Sequence, residues 1–279
     1  MPELPEVETV RRGLQPVMEG ATFERVDLNR PDLRFPFPDK FKSRLEGQAI
    51  EKLGRRAKFL DAHLSSGERL LMHLGMSGRF TINSEHAPGQ FVHNPGGNPK
   101  HDHVIFHMHN GASVTYNDPR RFGFMELVSP GEISRLDHIG PEPLSNHFNS
   151  DVLRTAFKGK KSKIKSALLD QRIVAGLGNI YVCEALFRSR ISPRRASGRL
   201  KVAETEVLTG HIKDVLSEAI EAGGSSLRDF ANTDGNLGYF QHNFDVYGRE
   251  SEPCRACAHP IKRIVQTGRS TFYCPQCQK

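Results

Sequence analysis

The 279-residue chain has no tryptophan, only five tyrosines and five cysteines, and 25 glycines dispersed without repeat. It also lacks any apolar run of the roughly eighteen residues that a membrane-spanning helix requires. Without tryptophan, stacking against a flat ligand falls to Phe, Tyr, Met or Arg. The opening residues Met1-Pro2-Glu3-Leu4-Pro5-Glu6 have neither the cationic start nor the apolar centre of an export signal. A cytoplasmic protein is therefore the expectation, and few cysteines in a reducing compartment argue against a disulfide framework. Neither sign of charge is scarce, but 39 Lys and Arg exceed 32 Asp and Glu, leaving a net +7. A pI near 9.2 favours polyanionic partners, because each cation that meets a phosphate releases a counterion. Hydrophobic residues at 37% exclude a disordered tail, and the length fits two domains, each able to bury a core.

Four of the cysteines, Cys254, Cys257, Cys274 and Cys277, read Cys-x2-Cys-x16-Cys-x2-Cys. Each pair offers two thiolates from one tight turn, the spacing of a tetrahedral zinc ribbon. Two disulfides are the alternative that the compartment disfavours. Ile261–Val265 and Ser270–Tyr273 read as two strands, with Thr267-Gly268-Arg269 as the turn between them. Four protein ligands leave no open position, so one structural Zn2+ is expected, with no organic cofactor. Cys183, isolated in a helical stretch, reads as a buried core thiol.

Leu4, Val7, Val10, Leu14 and Val17 recur at helical intervals, and Pro5 with Glu6 and Glu8 suits a first turn. From about Thr22 to Val128 short strands alternate with turns, among them Arg69–His73, Gly78–Asn83, His103–His107 and Ser113–Tyr116. Periodicity fades around Ser129–Pro143. Helical patterns then cover Ser150–Phe157, Ile164–Leu169, Ile180–Arg188 and Val202–Ala222, followed by a Gly/Ser/Asn-rich stretch, Gly223–Gly238. The expected class is α+β and multidomain. An N-terminal helix with a β-sandwich fills 1–130 and a hinge 131–148. A helical domain occupies 149–238 and a zinc-binding β-hairpin 239–279.

Two segments suit phosphate. A lysine-rich run, Lys158–Lys165, leads through Gly176-Leu177-Gly178 to Asn179, where the next helix should begin. Free N–H groups at a helix start attract anions, though an ordinary helical hairpin with solvated lysines fits the same letters. Arg269, at the tip of the zinc-binding hairpin, could reach a phosphate or could simply be solvated. The segment Lys100-His101-Asp102-His103 places histidines on alternate positions, an arrangement that could suit a metal but is read here as none.

Taken in order, Pro2-Glu3-Leu4-Pro5-Glu6-Val7-Glu8-Thr9, Met72-His73-Leu74-Gly75-Met76-Ser77-Gly78, Asn117-Asp118-Pro119-Arg120-Arg121-Phe122-Gly123 and Gly176-Leu177-Gly178-Asn179-Ile180-Tyr181 resemble the motifs of formamidopyrimidine-DNA glycosylases. The four-cysteine hairpin completes the set. The resemblance implies a helix-two-turn-helix in the helical domain. It also implies a monomeric base-excision-repair enzyme acting on double-stranded DNA with oxidised purines or abasic sites, with no membrane partner. Leu4 stands where the related endonuclease VIII group typically has Gly, which favours purine lesions over oxidised pyrimidines. A non-catalytic zinc-ribbon protein that binds DNA or RNA is the third possibility, disfavoured by intact Pro2, Glu3, Glu6 and Lys58.

The resemblance assigns Pro2 as nucleophile once Met1 is removed. An α-amino group titrates near about 7.7–8.0, so a neutral fraction exists at pH 7. Attack on C1′ expels the base, and a secondary amine leaves a permanently cationic iminium that acidifies the 2′ protons. Base loss and β,δ-elimination then follow from one intermediate. By the same resemblance Glu3 is the acid/base, Glu6 a supporting carboxylate, and Lys58 and Arg269 proton donors in the eliminations. Met76, Arg120 and Phe122 would fill the vacated stack, with Arg120 facing the orphaned cytosine. His73, Asn179 and Arg269 would join Lys58 at phosphates, with His101, Lys160 and Tyr247 as further DNA contacts. The Gly/Ser-rich stretch would cap the lesion.

Overall fold

A computed structural model describes residues 1–83, 98–225 and 240–279. Its contacts divide these into two compact units. The first is Met1–Asp137 joined by 223–225; the second is His138–Ala222 with Phe240–Lys279.

The first unit begins with helix α1 (Leu4–Met18), whose buried stripe is Leu4, Val7, Val10, Leu14 and Met18. The stripe ends on Met18, and Val17, the residue expected from the periodicity, only packs along its edge. A capping box closes the first turn: the Glu6 side chain accepts the Glu3 N–H at 2.8 Å. Strand β1 (Phe23–Leu28) and a short helix α2 (Phe41–Leu45) precede β2 (Ile50–Arg56), β3 (Phe59–Leu64), β4 (Arg69–His73) and β5 (Arg79–Asn83). Strands β6 (Asp102–Met108), β7 (Ser113–Asn117) and β8 (Phe124–Val128) complete the unit.

All pairings are antiparallel, in two four-stranded sheets ordered β1-β6-β7-β5 and β2-β3-β4-β8. Alternating inward positions such as Leu53, Leu60, Ala62, Leu70, Met72, Phe80, Val104 and Phe106 join α1 in a single core. This is a β-sandwich with a helix on it. Each fully buried Leu, Met, Phe or Val among these side chains contributes about 1.5–3 kcal/mol of transfer free energy.

In the second unit α3 (Ser150–Phe157), α4 (Ile164–Leu168), α5 (Asn179–Arg188) and α6 (Val202–Glu221) surround a core that includes Leu153, Ile164, Leu177, Tyr181, Leu186, Leu208 and Leu216. Between α4 and α5 the chain makes two turns. Gln171 fixes them: its amide donates to the Leu169 and Leu177 carbonyls, and its oxygen accepts Gly176 N–H at 2.8 Å. Gly176, at φ 71°, supplies the left-handed residue there. This is the helix-two-turn-helix.

The hairpin of β9 (Lys262–Gln266) and β10 (Arg269–Tyr273) packs on α5 through Ile261, Cys254 and Cys274, which cluster with Cys183, Phe187 and Val246. Cys183 therefore belongs to the core beneath the hairpin. The hairpin turn is shorter than expected. Gln266 pairs with Arg269, leaving Thr267 and Gly268 as the whole turn, both at positive φ. Arg269 opens strand β10 and does not lie in the turn. No described helix is long and apolar enough to cross a membrane. The Gly/Ser/Asn-rich stretch falls outside the described residues beyond position 225.

Candidate active site and nucleic-acid interface

At the start of α1, Pro2 is buried and Met1 exposed. Glu3 and Glu6 are 3% and 2% exposed. The Glu6 carboxylate holds two distant segments of the chain at once. Its Oε2 accepts Glu3 N–H, and its Oε1 accepts both the backbone N–H and the hydroxyl of Ser225 at 2.8 Å. A Cβ on Gly224 would stand 3.3 Å from the Glu6 side chain, and the residue's φ of 81° lies in the left-handed region, so glycine suits that approach. Glu6 thus fixes the backbone of Glu3 and anchors the chain where it enters the glycine-rich stretch.

Lys58 sits with Ala57 in the turn joining β2 to β3, Ala57 taking a left-handed φ of 52°. Arg55 braces that turn. Its guanidinium donates to the Ala57 carbonyl at 2.8 Å and to the Glu8 carboxylate of α1 at 3.2 Å. The turn bearing Lys58 and the helix bearing Glu3 are thereby fastened to one another within the unit.

His73, at the end of β4, clusters with Phe59 and Phe124, stacking on the latter at 5.1 Å. Burial, with the nearby charges of Lys58, Arg34 and Arg135, drives its pKa down to about 4. The ring is therefore neutral near pH 7. Its Nδ1 accepts Gly75 N–H at 3.0 Å, so the proton resides on Nε2 and that edge is a donor. The sign of the linkage follows: with a folded pKa of about 4 against 6.5 unfolded, the native state binds fewer protons between those values. The contribution is complete above pH 6.5 and is lost as pH falls toward 4. Denaturant unfolding of the free protein across that window should show wild type losing about 2–3 kcal/mol more than His73→Gln. Equal pH slopes would refute the assignment.

Met76 lies half-buried in the loop after β4; Arg120 and Phe122 are exposed in the loop after β7, the guanidinium 5.0 Å from the ring centre. Gly75 makes these loops adjacent: a Cβ there would fall 2.3 Å from the Gly123 nitrogen. His101, in a single 3-10 turn, accepts Asp118 N–H through its carbonyl at 3.0 Å, beside the same loop. His103 is buried with Nε2 on the Asp118 carbonyl at 2.9 Å.

In the second unit Asn179 is the first residue of α5, after Gly178, and no side chain caps that helix start. Its amide donates to the Ser270 carbonyl at 2.9 Å and approaches the Tyr247 hydroxyl at 3.5 Å. Lys165, fully buried, also points its ammonium at Ser270 O. Ser270 follows Arg269, so Asn179, Tyr247 and Arg269 are gathered at one end of the hairpin. Glu184 of α5 holds Tyr247 in register by accepting the N–H groups of Asp245, Val246 and Tyr247. Lys160 is exposed on the chain preceding α4, where Gly198 packs against its backbone.

The four hairpin cysteines bring their Sγ atoms within 4.8 Å of one another, with Cys254–Cys277 at 3.9 Å and Cys257–Cys274 at 3.5 Å. Tetrahedral zinc with bonds of about 2.3 Å requires sulfurs about 3.8 Å apart, whereas a disulfide requires about 2.05 Å. The cluster fits zinc. Ala256 N–H and Cys277 N–H point at Cys254 and Cys274 sulfurs at 3.4 Å, support suited to thiolates. Zinc bound there would cross-link the two cysteine turns and leave no open coordination position.

Sequence reasoning gave no individual role to Ser225, Asp118, Glu184 or Lys165, although the last closes the lysine-rich run. Buried acids and a buried lysine are conspicuous only once burial is known. Asp118, directly before a proline in a turn, carried the one local signal.

Three family models match the chain. They are the formamidopyrimidine-DNA glycosylase N-terminal domain over residues 1–125, its H2TH domain over 139–231, and the zinc finger found in FPG and IleRS over 251–279. A curated relative, formamidopyrimidine-DNA glycosylase of Ruegeria pomeroyi, is 61% identical, with all of both chains covered. A solved complex of a Lactococcus lactis FPG variant with Fapy-dG-containing DNA superposes with TM-score 0.87 at 34% identity, covering 100% of each chain. Another, of Lactococcus lactis Fpg with DNA containing an abasic site, gives 0.86 at 34% and the same coverage. With every part of the sequence accounted for by these matches, the chain belongs to the formamidopyrimidine-DNA glycosylase family.

Proposed function

We infer that Pro2, freed by removal of Met1, is the nucleophile with which this DNA glycosylase and abasic-site lyase excises oxidised purines. The observation that carries the reading is the buried, doubly anchored helix start, where Pro2 adjoins Glu3 and Glu6 fixes the Glu3 backbone. The Pro2 nitrogen forms its bond to C1′ as the glycosidic bond breaks, and the departing base carries off the proton that the nitrogen gives up. Glu3 protonates the ring oxygen as the sugar opens to the iminium. Loss of a 2′ proton then expels the 3′ phosphate, and a second elimination expels the 5′ phosphate. Lys58 and Arg269 serve as proton donors in these steps.

The neutral Nε2–H edge of His73, the uncapped start of α5 at Asn179, and Arg269 suit phosphate oxygens. His101, Lys160 and Tyr247 act as additional DNA contacts. Met76, Arg120 and Phe122 replace the extruded nucleotide in the stack, a loss otherwise worth a few kcal/mol. Glu6 supports Glu3. We assign catalysis to 1–130, a hinge to 131–148, DNA binding with a lesion cap to 149–238 and the zinc module to 239–279. The enzyme works as a monomer in the compartment that holds the chromosome.

Incubation with a duplex carrying 8-oxoguanine opposite cytosine should give base release and strand nicking together. Binding without nicking would favour a non-catalytic zinc-ribbon protein. Preference for a duplex with an oxidised pyrimidine would move the chain to the other branch.

A further inference from the structure

Asp118 is a fully buried carboxylate to which the chemistry above gives no task. Each of its oxygens accepts two donors. Oδ1 takes the Ser77 hydroxyl at 2.6 Å and Arg120 N–H at 3.3 Å; Oδ2 takes Gly123 N–H at 2.9 Å and the Tyr116 hydroxyl at 3.3 Å. Its carbonyl meets His103, and its N–H meets the His101 carbonyl. These partners are not spread at random. Ser77 follows Met76, while Arg120 and Gly123 bracket Phe122. The two loops are otherwise joined where Gly75 and Gly123 touch, and Arg121 holds a left-handed φ of 55°.

We propose that Asp118 is a positioning residue for recognition of the base opposite the lesion. Its carboxylate locks the Met76 loop to the Arg120–Phe122 loop, so that the three side chains enter the duplex as one rigid set. The proposal rests on the reading of those three residues as the fillers of the vacated stack. Two of the four donors are backbone N–H groups that cannot turn away. An Asn in place of Asp118 has nearly the same shape but must aim an NH2 at one donor pair, which forces the loops apart. A displacement of about 1 Å at a reacting or reading group can cost on the order of a hundredfold in rate.

The test compares single-turnover excision of 8-oxoguanine opposite cytosine and opposite adenine, using zinc-loaded full-length protein. Asp118→Asn, Ser77→Ala and Arg120→Ala are measured beside wild type. In Asp118→Asn the cytosine-to-adenine rate ratio should fall roughly tenfold toward the Arg120→Ala value, and Ser77→Ala should move the same way by less. Ser77→Ala removes a neutral hydroxyl and decides the matter if Asp118→Asn does not fold. A purely structural role would lower the melting temperature and leave the ratio untouched. A wild-type ratio in the folded Asp118 and Ser77 variants, with the ratio lost in Arg120→Ala, overturns the proposal alone. A wild-type ratio in Arg120→Ala overturns the underlying reading, and the proposal with it.

Discussion

Borohydride added during turnover is expected to fix the mature protein to a duplex carrying an oxidised purine as one covalent adduct. Pro2→Gly should yield roughly a hundredfold less, a loss of about 2.7 kcal/mol of transition-state stabilisation. The size of the effect comes from the chemistry of the amine. A secondary amine condensed with C1′ has no N–H to lose and stays cationic, whereas the primary amine of glycine gives an imine that is cationic only while protonated. Unfolding does not explain such a loss, because α1 begins at Leu4 and its capping box uses Glu3 and Glu6. Digestion of the adduct and mass mapping should place the crosslink on the N-terminal peptide. Protein that retains Met1, in which the Pro2 nitrogen is an amide, should not trap. Undiminished trapping with a blocked N-terminus would rule out the nucleophile.

The features legible in the sequence are those written within a few residues of each other. The α1 stripe, the β alternation and the cysteine spacing each repeat on a scale that one element can display. Asn179 at a helix start is of the same kind, since Gly176 and Gly178 mark the turn before it. The single-residue errors arise where two local signals compete. Val17 and Met18 are both apolar at the end of α1, and packing selects Met18. Thr267-Gly268-Arg269 has the letters of a three-residue turn, but positive φ at both Thr267 and Gly268 closes the hairpin in two. What the sequence conceals is contact across long separation. Glu6 and Ser225 are 219 positions apart, and nothing in either neighbourhood announces the bond. The low pKa of His73 is equally hidden, because it depends on burial first and then on Lys58, Arg34 and Arg135 arriving from three other segments.

Removal of zinc should abolish DNA binding while leaving the nucleophile's unit folded. Without metal, the hairpin has little apolar burial of its own: Ile261, Tyr273, Cys254 and Cys274 are its buried side chains of that kind. Structural zinc supplies about 10–16 kcal/mol of apparent binding free energy in comparable small modules, more than such a core can replace. The consequence reaches beyond the hairpin, because the Ser270 carbonyl receives both the Asn179 amide and the Lys165 ammonium. Loss of β10 therefore removes Arg269 and also leaves Asn179 and the buried Lys165 without that acceptor. Affinity for lesion-bearing duplex should fall at least roughly a hundredfold on chelation, about 2.7 kcal/mol, and Cys274→Ser should reproduce the loss. The β-sandwich shares no residue with this arrangement, so its amide-exchange protection should persist in the chelated sample. Full DNA affinity in a sample shown to be zinc-free would refute the dependence; collapse of protection throughout α1 and both sheets would refute its confinement to the second unit.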